Sequence, residues 1–282
     1  MEAAVAGKNL RLAAVILGLS GIAIFLYFAF SGTIQISPVL FVIGRLSIRW
    51  YGVLIAAAVY LSYLIISKRY ARYYKDNNFE LIFLVILFSG LIGARIGFVI
   101  QNSSYYSSHI ADIFKIYQGG LSIHGAIIAG VIALAILSRV LHKNFFALAN
   151  LISPEVILSI AIGRWGNFFN QEIIGQPTDN FIKMYVSPTA RPAGFEGFSF
   201  FHPVFLYESL ILFALYLFLI SNPERVKKYG LIYLLIGYCV ARIVVEFFRI
   251  DYKPIFAVLD LAQWVSFGII IITIITLTLR RK

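Results

Sequence analysis

Residues 81–100 read LIFLVILFSGLIGARIGFVI, twenty consecutive positions with a single charge, Arg95. At about 1.5 Å of rise per residue such a stretch spans about 30 Å as a helix, the thickness of a bilayer's hydrocarbon core. A surface helix of a water-soluble domain would carry a polar face, and this stretch has none. The pattern recurs along the chain: apolar segments run over about 12–30, 51–67, 81–100, 120–138, 151–169, 203–221, 230–249 and 256–279. Backbone groups cannot go unpaired in lipid, and the segments lack the alternation of barrel strands. Each is therefore expected to be a helix, and the fold class all-α: a polytopic helical membrane protein.

Composition agrees. Of 282 residues 60% are hydrophobic and 13% charged, against about 25% charged in soluble domains. The net charge of +11 does not indicate nucleic acid, because the basic residues fall in short loops between apolar segments, as membrane topology requires. One cysteine, Cys239, excludes an internal disulfide framework and a Cys-based metal site. With the N-terminus inside, the inner loops hold Lys8 and Arg11; Lys68, Arg69, Arg72 and Lys75; Arg139 and Lys143; Arg225, Lys227 and Lys228; and Arg280, Arg281 and Lys282. The outer loops hold only Arg45, Lys115, Lys183, Arg191 and Lys253, with Arg49 at a boundary, so both termini are expected to be cytoplasmic. The longest polar interval, 170–202, contains Pro177, Pro188, Pro192, Gly194 and Gly197 and reads as a small extracytoplasmic arm. Residues 1–35 read either as an uncleaved transmembrane helix or as a signal-like segment, since Lys8 and Arg11 precede an apolar run ending in Ala29-Phe30-Ser31. Residues 36–282 form the transmembrane core.

The ionisable residues inside the segments share a depth. Arg95, Arg164, Arg242, Glu246, Arg249, His124, His202, Glu208, Tyr51 and Gln263 all fall toward the outer ends of their segments, with no counterpart expected in the inner half. A charge at the bilayer centre costs about 2.5–3.5 kcal/mol even on lenient scales, so such residues face a bundle interior or a wet cavity. Tyr238, Arg242, Glu246 and Arg249 follow helical spacing and are expected on one face, with Glu246 able to pair with either arginine. A structural ion-pair ladder would explain Glu246. It would not explain four arginines, Arg95, Arg164, Arg242 and Arg249, against three carboxylates, Glu172, Glu208 and Glu246. Surplus buried guanidinium points to an anionic ligand, phosphate in particular. Glycines in GGLSIHG (119–125) and GRWGNFFNQE (163–172) permit close packing or close approach to a ligand.

These residues carry a resemblance. From about 36 to 280 the chain resembles the phosphatidylglycerol–prolipoprotein diacylglyceryl transferases, through Ile48-Arg49-Trp50-Tyr51-Gly52, Gly93-Ala94-Arg95-Ile96-Gly97, GGLSIHG, GRWGNFFNQE, His202-Pro203-Val204-Phe205-Leu206-Tyr207-Glu208 and Arg242-Ile243-Val244-Val245-Glu246-Phe247-Phe248-Arg249, in that order. The resemblance implies transfer of diacylglyceryl from phosphatidylglycerol to the lipobox cysteine thiol of a prolipoprotein, in the bacterial cytoplasmic (inner) membrane, at a site open to the outer leaflet. A thioether forms and glycerol phosphate leaves, with no metal or organic cofactor. The partners implied are phosphatidylglycerol, the lipobox segment and membrane lipid. It also implies a seven-helix core, which makes segment 12–30 additional. Trp165 stands where a smaller aliphatic residue is frequent, Gln176 where some members have arginine, and the arm is short.

On this reading Arg164 and Arg242 hold the phosphate and stabilise the departing charge. Asn167, Glu172 and Gly175 orient the glycerol and head group. Glu246 fixes Arg242, Arg249 adds positive potential, and Tyr51 and Tyr238 offer hydroxyls. His124 is the candidate base for the thiol. His202 and Glu208 are expected to anchor a helix end, with Arg95 and Gln263 supporting; Cys239 is expected to pack. Two rivals remain. A transporter or scramblase for anionic lipids would continue polar residues through the inner half. A purely structural subunit would not need surplus arginine.

Overall fold

The computed structural model describes residues 17–18, 20–44, 46–116, 119–256 and 258–279. Lys8, Arg11, Arg45, Arg280, Arg281 and Lys282, on which the expected orientation partly rests, lie outside these residues, as does the start of segment 12–30. The helices are α1 (Ser20–Phe30), α2 (Trp50–Tyr73), α3 (Phe79–Gln101), the single turn α4 (Ser103–Tyr106), α5 (Ile123–Val140), α6 (Phe145–Asn170), α7 (Val204–Ile220), α8 (Pro223–Glu246) and α9 (Leu261–Leu279). Among the described residues six of them, α2, α3, α5, α6, α8 and α9, are long and apolar enough to cross a membrane, and α1 and α7 are shorter apolar helices. The protein is a polytopic helical membrane protein. Two small antiparallel pairs join the helices: β1 (Val39–Ile43) with β2 (Leu46–Arg49), and β3 (Met184–Tyr185) with β4 (Phe200–Phe201).

Several helices begin or end away from the apolar runs, for local reasons. Helix α6 starts at Phe145, where Asn144 Oδ1 accepts the Ala147 N–H. Helix α8 starts at Pro223, the first helical position that proline favours. Helix α9 starts only at Leu261, because Asp260 and Gln263 exchange backbone-to-side-chain bonds of 3.0 and 2.8 Å as a capping box. Helix α5 starts at Ile123 because Gly119 and Gly120, at φ +91° and +77°, have a left-handed backbone that no helix continues.

The chain divides into two compact units within α2, α6, α7 and α8. One comprises residues 59–159 and 214–237. Its core gathers Tyr70, Phe79, Ile82, Leu134 and Leu148. Helices α3 and α5 cross where Gly93 meets Gly125: a Cβ on Gly93 would lie 2.5 Å from the Gly125 carbonyl oxygen and 2.3 Å from Ala129 Cβ. These glycines serve helix packing and are not open to a ligand. Arg69 and Glu155 form a bidentate pair at 2.5 and 2.8 Å with Glu155 1% exposed, so the half expected to be empty of charge holds a buried, neutral pair. Pro154 cannot donate to the Asn150 carbonyl, and Gly230 packs against that oxygen instead. The Asn150 side chain bridges Lys227 O and Leu231 N at 3.0 and 2.9 Å, the two ends of one α8 ladder bond. Beyond α2, Asp76 accepts from Tyr70 and is paired by Lys143.

The other unit comprises residues 1–58, 160–213 and 238–282. Its core is Phe168, Phe201, Phe205, Met184, Val186 and Ile174, with Ala29 of α1 buried against them. Gly32, at φ +81°, gives the place of its absent side chain to the Tyr185 ring. The interval 170–202 is therefore a folded arm with β3 and β4 inside an aromatic core.

Candidate active site

The second unit holds most of the expected site residues. Arg164 lies in the last two turns of α6, and its Nη2 donates to Glu208 Oε1 of α7 at 2.6 Å. Glu208 is 1% exposed, and its Oε2 stands 3.7 Å from Arg242 Nη1 of α8, near enough for attraction but too far for a hydrogen bond. Arg242 also pairs with Glu246, one turn on, and Glu246 Oε1 stands 3.3 Å from Arg249 Nε. Arg249 closes the series on Asp251 at 2.8 and 2.5 Å. Arg164, Glu208, Arg242, Glu246, Arg249 and Asp251 thus alternate in sign, three cations with three anions. The arginine surplus inferred from the sequence is not present in this cluster.

Three atoms are left over. Arg164 Nε, Glu208 Oε2 and Asn170 Oδ1 are buried without a hydrogen-bond partner among the described residues. Each such atom normally finds a partner when buried.

Glu208 departs from its expected role. It does not anchor a helix end with His202 but bridges the two arginines. His202 bonds the Tyr207 hydroxyl at 2.9 Å through Nδ1, and burial lowers its pKa below the ordinary value. Arg249 lies past the end of α8, which stops at Glu246, so it does not share the helical face of Tyr238, Arg242 and Glu246. It is held by the arm, since residue 249 bridges Gly175 as a strand would, Gln176 N–H donates to Phe248 O and Ile250 N–H to Ile174 O. Arg249 in turn holds the Asp251 carboxyl below the usual carboxylate range.

The turn after α6 presents Glu172. Its carboxylate accepts from Asn167 and Asn170 Nδ2 at 2.8 and 3.2 Å, so three of the five polar residues of GRWGNFFNQE converge. Gly175 is closely packed: a Cβ there would lie 2.6 Å from His202 Cβ. The glycines beside Arg164 face α2. A Cβ on Gly166 would lie 2.0 Å from the Tyr51 ring, and one on Gly163 3.3 Å from Ile55. The Tyr51 ring therefore packs against α6 at Gly166, two positions from Arg164. Tyr238 lies half-buried one turn before Arg242, and Gln263 is fully buried, donating to Ile243 O at 3.1 Å.

Arg95 and His124 belong to the unit of residues 59–159 and 214–237. Arg95 is 6% exposed, and its guanidinium donates to four carbonyls, of Asp112, Ile113, Gly119 and Gly120, at 2.5–3.0 Å. It clamps the loop between α4 and α5 and has given its donors to the backbone. Gly120 is required there, since a Cβ would meet Arg95 Nη1 at 2.8 Å. His124 is exposed at the second position of α5, just beyond that clamped loop.

A family model described as prolipoprotein diacylglyceryl transferase matches residues 38–279, which include every residue of the candidate site. The chain belongs to that family. It is similar to the phosphatidylglycerol–prolipoprotein diacylglyceryl transferase of Acaryochloris marina, 39% identical over 236 residues, 81% of this chain and 85% of that protein. It is also similar to the enzymes of the same name from Fervidobacterium nodosum, 37% identical over 252 residues and 86% of each chain, and Staphylococcus aureus, 35% identical over 261 residues, 87% of this chain and 90% of that one. The family match begins after α1.

The roles of four polar residues of this diacylglyceryl transferase family member escaped sequence reading. Asp251 lay beyond the apolar run used to bound the helix. Glu155 and Arg69 are 86 positions apart, and no spacing rule connects them. Gln171 was read only as part of a motif, yet its side chain bonds Ser187 in the arm.

Proposed function

We propose that this protein transfers the diacylglyceryl group of phosphatidylglycerol to the lipobox cysteine of prolipoproteins. The observation that carries this reading is the unsatisfied Arg164 Nε beside a charge-balanced Arg164–Glu208–Arg242–Glu246 series, in a chain of this family. The cysteine sulfur bonds to the glyceryl carbon that carries the phosphate ester. The carbon–oxygen bond breaks, and its electron pair leaves on the glycerol phosphate oxygen. Arg164 and Arg242 bind the phosphate and stabilise that charge from preorganised positions. Glu208 and Glu246 hold the two guanidinium groups, and Asn167 and Glu172 contact the glycerol and head group. Arg249 adds potential, and Tyr51 and Tyr238 line the approach. His124 takes the thiol proton. An imidazole is the side-chain base most often used for such a transfer. Gly175, Gln263, His202 and Arg95 support the backbone.

The site faces the outer leaflet of the bacterial cytoplasmic membrane, with the C-terminus cytoplasmic. The basic residues Lys68, Arg72, Lys75, Lys143, Lys227 and Lys228, which fall in or beside alternate loops of the sequence, support this orientation. Residues 1–35 are a retained addition to the 36–282 core, a reading supported by the burial of Ala29 and the seating of Tyr185 over Gly32.

The test is incubation of the purified protein with phosphatidylglycerol and a lipobox peptide, read by mass spectrometry. The expected product gains one diacylglyceryl group, does not form with a Cys→Ser peptide, and forms faster from phosphatidylglycerol than from phosphatidylethanolamine. No mass gain with folded protein would refute transfer, and equal rates from both lipids would refute anionic recognition by Arg164.

A further inference from the structure

Gln171 and Ile173 hold left-handed backbones, at φ +49° and +54°, without being glycine. A Cβ crowds the neighbouring carbonyl in that region, and for a β-branched residue the conformation is an outlier. Glu172, the carboxylate that meets Asn167 and Asn170, stands between them. Something must hold so strained a turn. Downstream it is laced by the Gly175 N–H to His202 O and the Ile250 N–H to Ile174 O, both 3.2 Å. Upstream the backbone caps α6, with Gln171 N–H donating to Phe168 O and Glu172 N–H to Asn167 O, both 3.1 Å, and the Gln171 side chain adds a second restraint. That side chain is buried, and Oε1 accepts two bonds from Ser187, 3.0 Å from the N–H and 2.5 Å from the hydroxyl. Ser187 lies two residues past β3, in the arm.

We propose that Gln171 is a positioning residue: its latch to Ser187 ties the capped turn to the arm, so that the folded arm sets where the Glu172 carboxylate stands. The arm is then part of the site's geometry and not only a cover for it. The inference rests on Glu172 contacting the lipid head group.

Three variants test it. Gln171→Ala removes the latch and leaves a Cβ in the strained conformation. Gln171→Gly also removes the latch but reaches a positive φ freely. Ser187→Ala removes the hydroxyl half of the latch. Positioning predicts that kcat for transfer falls in the order parent, Gly, Ala, with Ala down roughly tenfold or more, as expected when a contact group is misplaced. A residue that only fills space gives the same order in melting temperature, because glycine reaches the positive φ more freely than alanine, but leaves kcat of the folded variants at the parent's value. In a Glu172→Gln background, Gln171→Ala should cause no further loss of kcat. The latch is also read without activity. Melting-temperature shifts of Gln171→Ala and Ser187→Ala should be non-additive in the double variant. Additive shifts overturn the latch whether or not the parent transfers lipid; a parent without transfer activity but with coupled shifts overturns the function and keeps the latch. A parent-like kcat in folded Gln171→Ala overturns positioning.

Discussion

Arg95 and Arg164 are alike in sequence, each an arginine among glycines near the outer end of an apolar segment, and they are put to opposite use. Arg95 spends its donors on four backbone carbonyls, a geometry that one ammonium cannot reproduce. Each buried carbonyl left unpaired costs about 1–3 kcal/mol, so Arg95→Lys should lower the melting temperature in detergent by several degrees. Arg164 keeps a buried Nε in reserve, and Arg164→Lys preserves the charge beside Glu208 while losing the planar fork. It should melt near the parent and lose most transfer activity. Arg164→Ala should lose essentially all of it, and it should also unfold more readily, since breaking a buried ion pair costs about 3–5 kcal/mol. A transfer assay beside thermal unfolding separates the two arginines. A well-folded, inactive Arg95→Lys together with an active Arg164→Lys would move the phosphate site to α3. The pairing of Arg242 with Glu246 was legible because four residues is one helical turn. That of Arg164 with Glu208, 44 positions apart, was not, because it depends on which helices become neighbours.

At the scale of elements, the glycines that look equivalent in the sequence divide by what lies opposite them. A Cβ on Gly93 would enter Ala129 and the Gly125 carbonyl, whereas one on Gly130 would meet Ile86 at an ordinary 3.8 Å. Gly93→Ala should therefore cost about 1–3 kcal/mol through overpacking of α3 on α5, and Gly130→Ala should be within about 0.5 kcal/mol of the parent, measured by denaturant or thermal unfolding. The α2–α3 connection makes a pH prediction. The ammonium of Lys143, assisted by the Tyr70 hydroxyl, holds the Asp76 carboxyl below its ordinary value of 3.8. A carboxylate depressed on folding contributes stability above its unfolded pKa, and that stability is lost as pH falls through the folded value. Acid unfolding of the parent should accordingly include a component below about pH 4 that Asp76→Asn lacks. Lys143→Met should remove the same component, and an unchanged acid profile in both variants would refute the assignment. The bounds of α9 were misread because they are set by a reciprocal cap, a local signal that an apolar run hides.

For the molecule as a whole, the distribution of Lys and Arg predicts which loops meet the cytoplasm. A reporter active only outside the cytoplasm should work when fused in 101–118, 170–202 or 250–255. It should be silent at 70–79, 139–149, 222–229 and the C-terminus. Activity at 222–229 would reverse the orientation and with it the outer-leaflet site. The expectation that the inner half holds no charge does not survive Arg69 and Glu155, yet this pair is bidentate and neutral, a joint between α2 and α6 and not a step in a path for ions.

That the chain is a bundle of membrane helices was decided by composition along single segments, because in lipid a helix satisfies its own backbone and needs no partner to be stable there. The convergence of Asn167, Asn170 and Glu172 was equally local, a matter of one helix end and the turn behind it. Which carboxylate balances which arginine was not local. Glu208 reaches Arg164 and Arg242 because α6, α7 and α8 are neighbours, and Arg249 is aimed by the arm because α8 stops at Glu246. Charges in low dielectric pair by distance in space, and only the packed structure sets that distance.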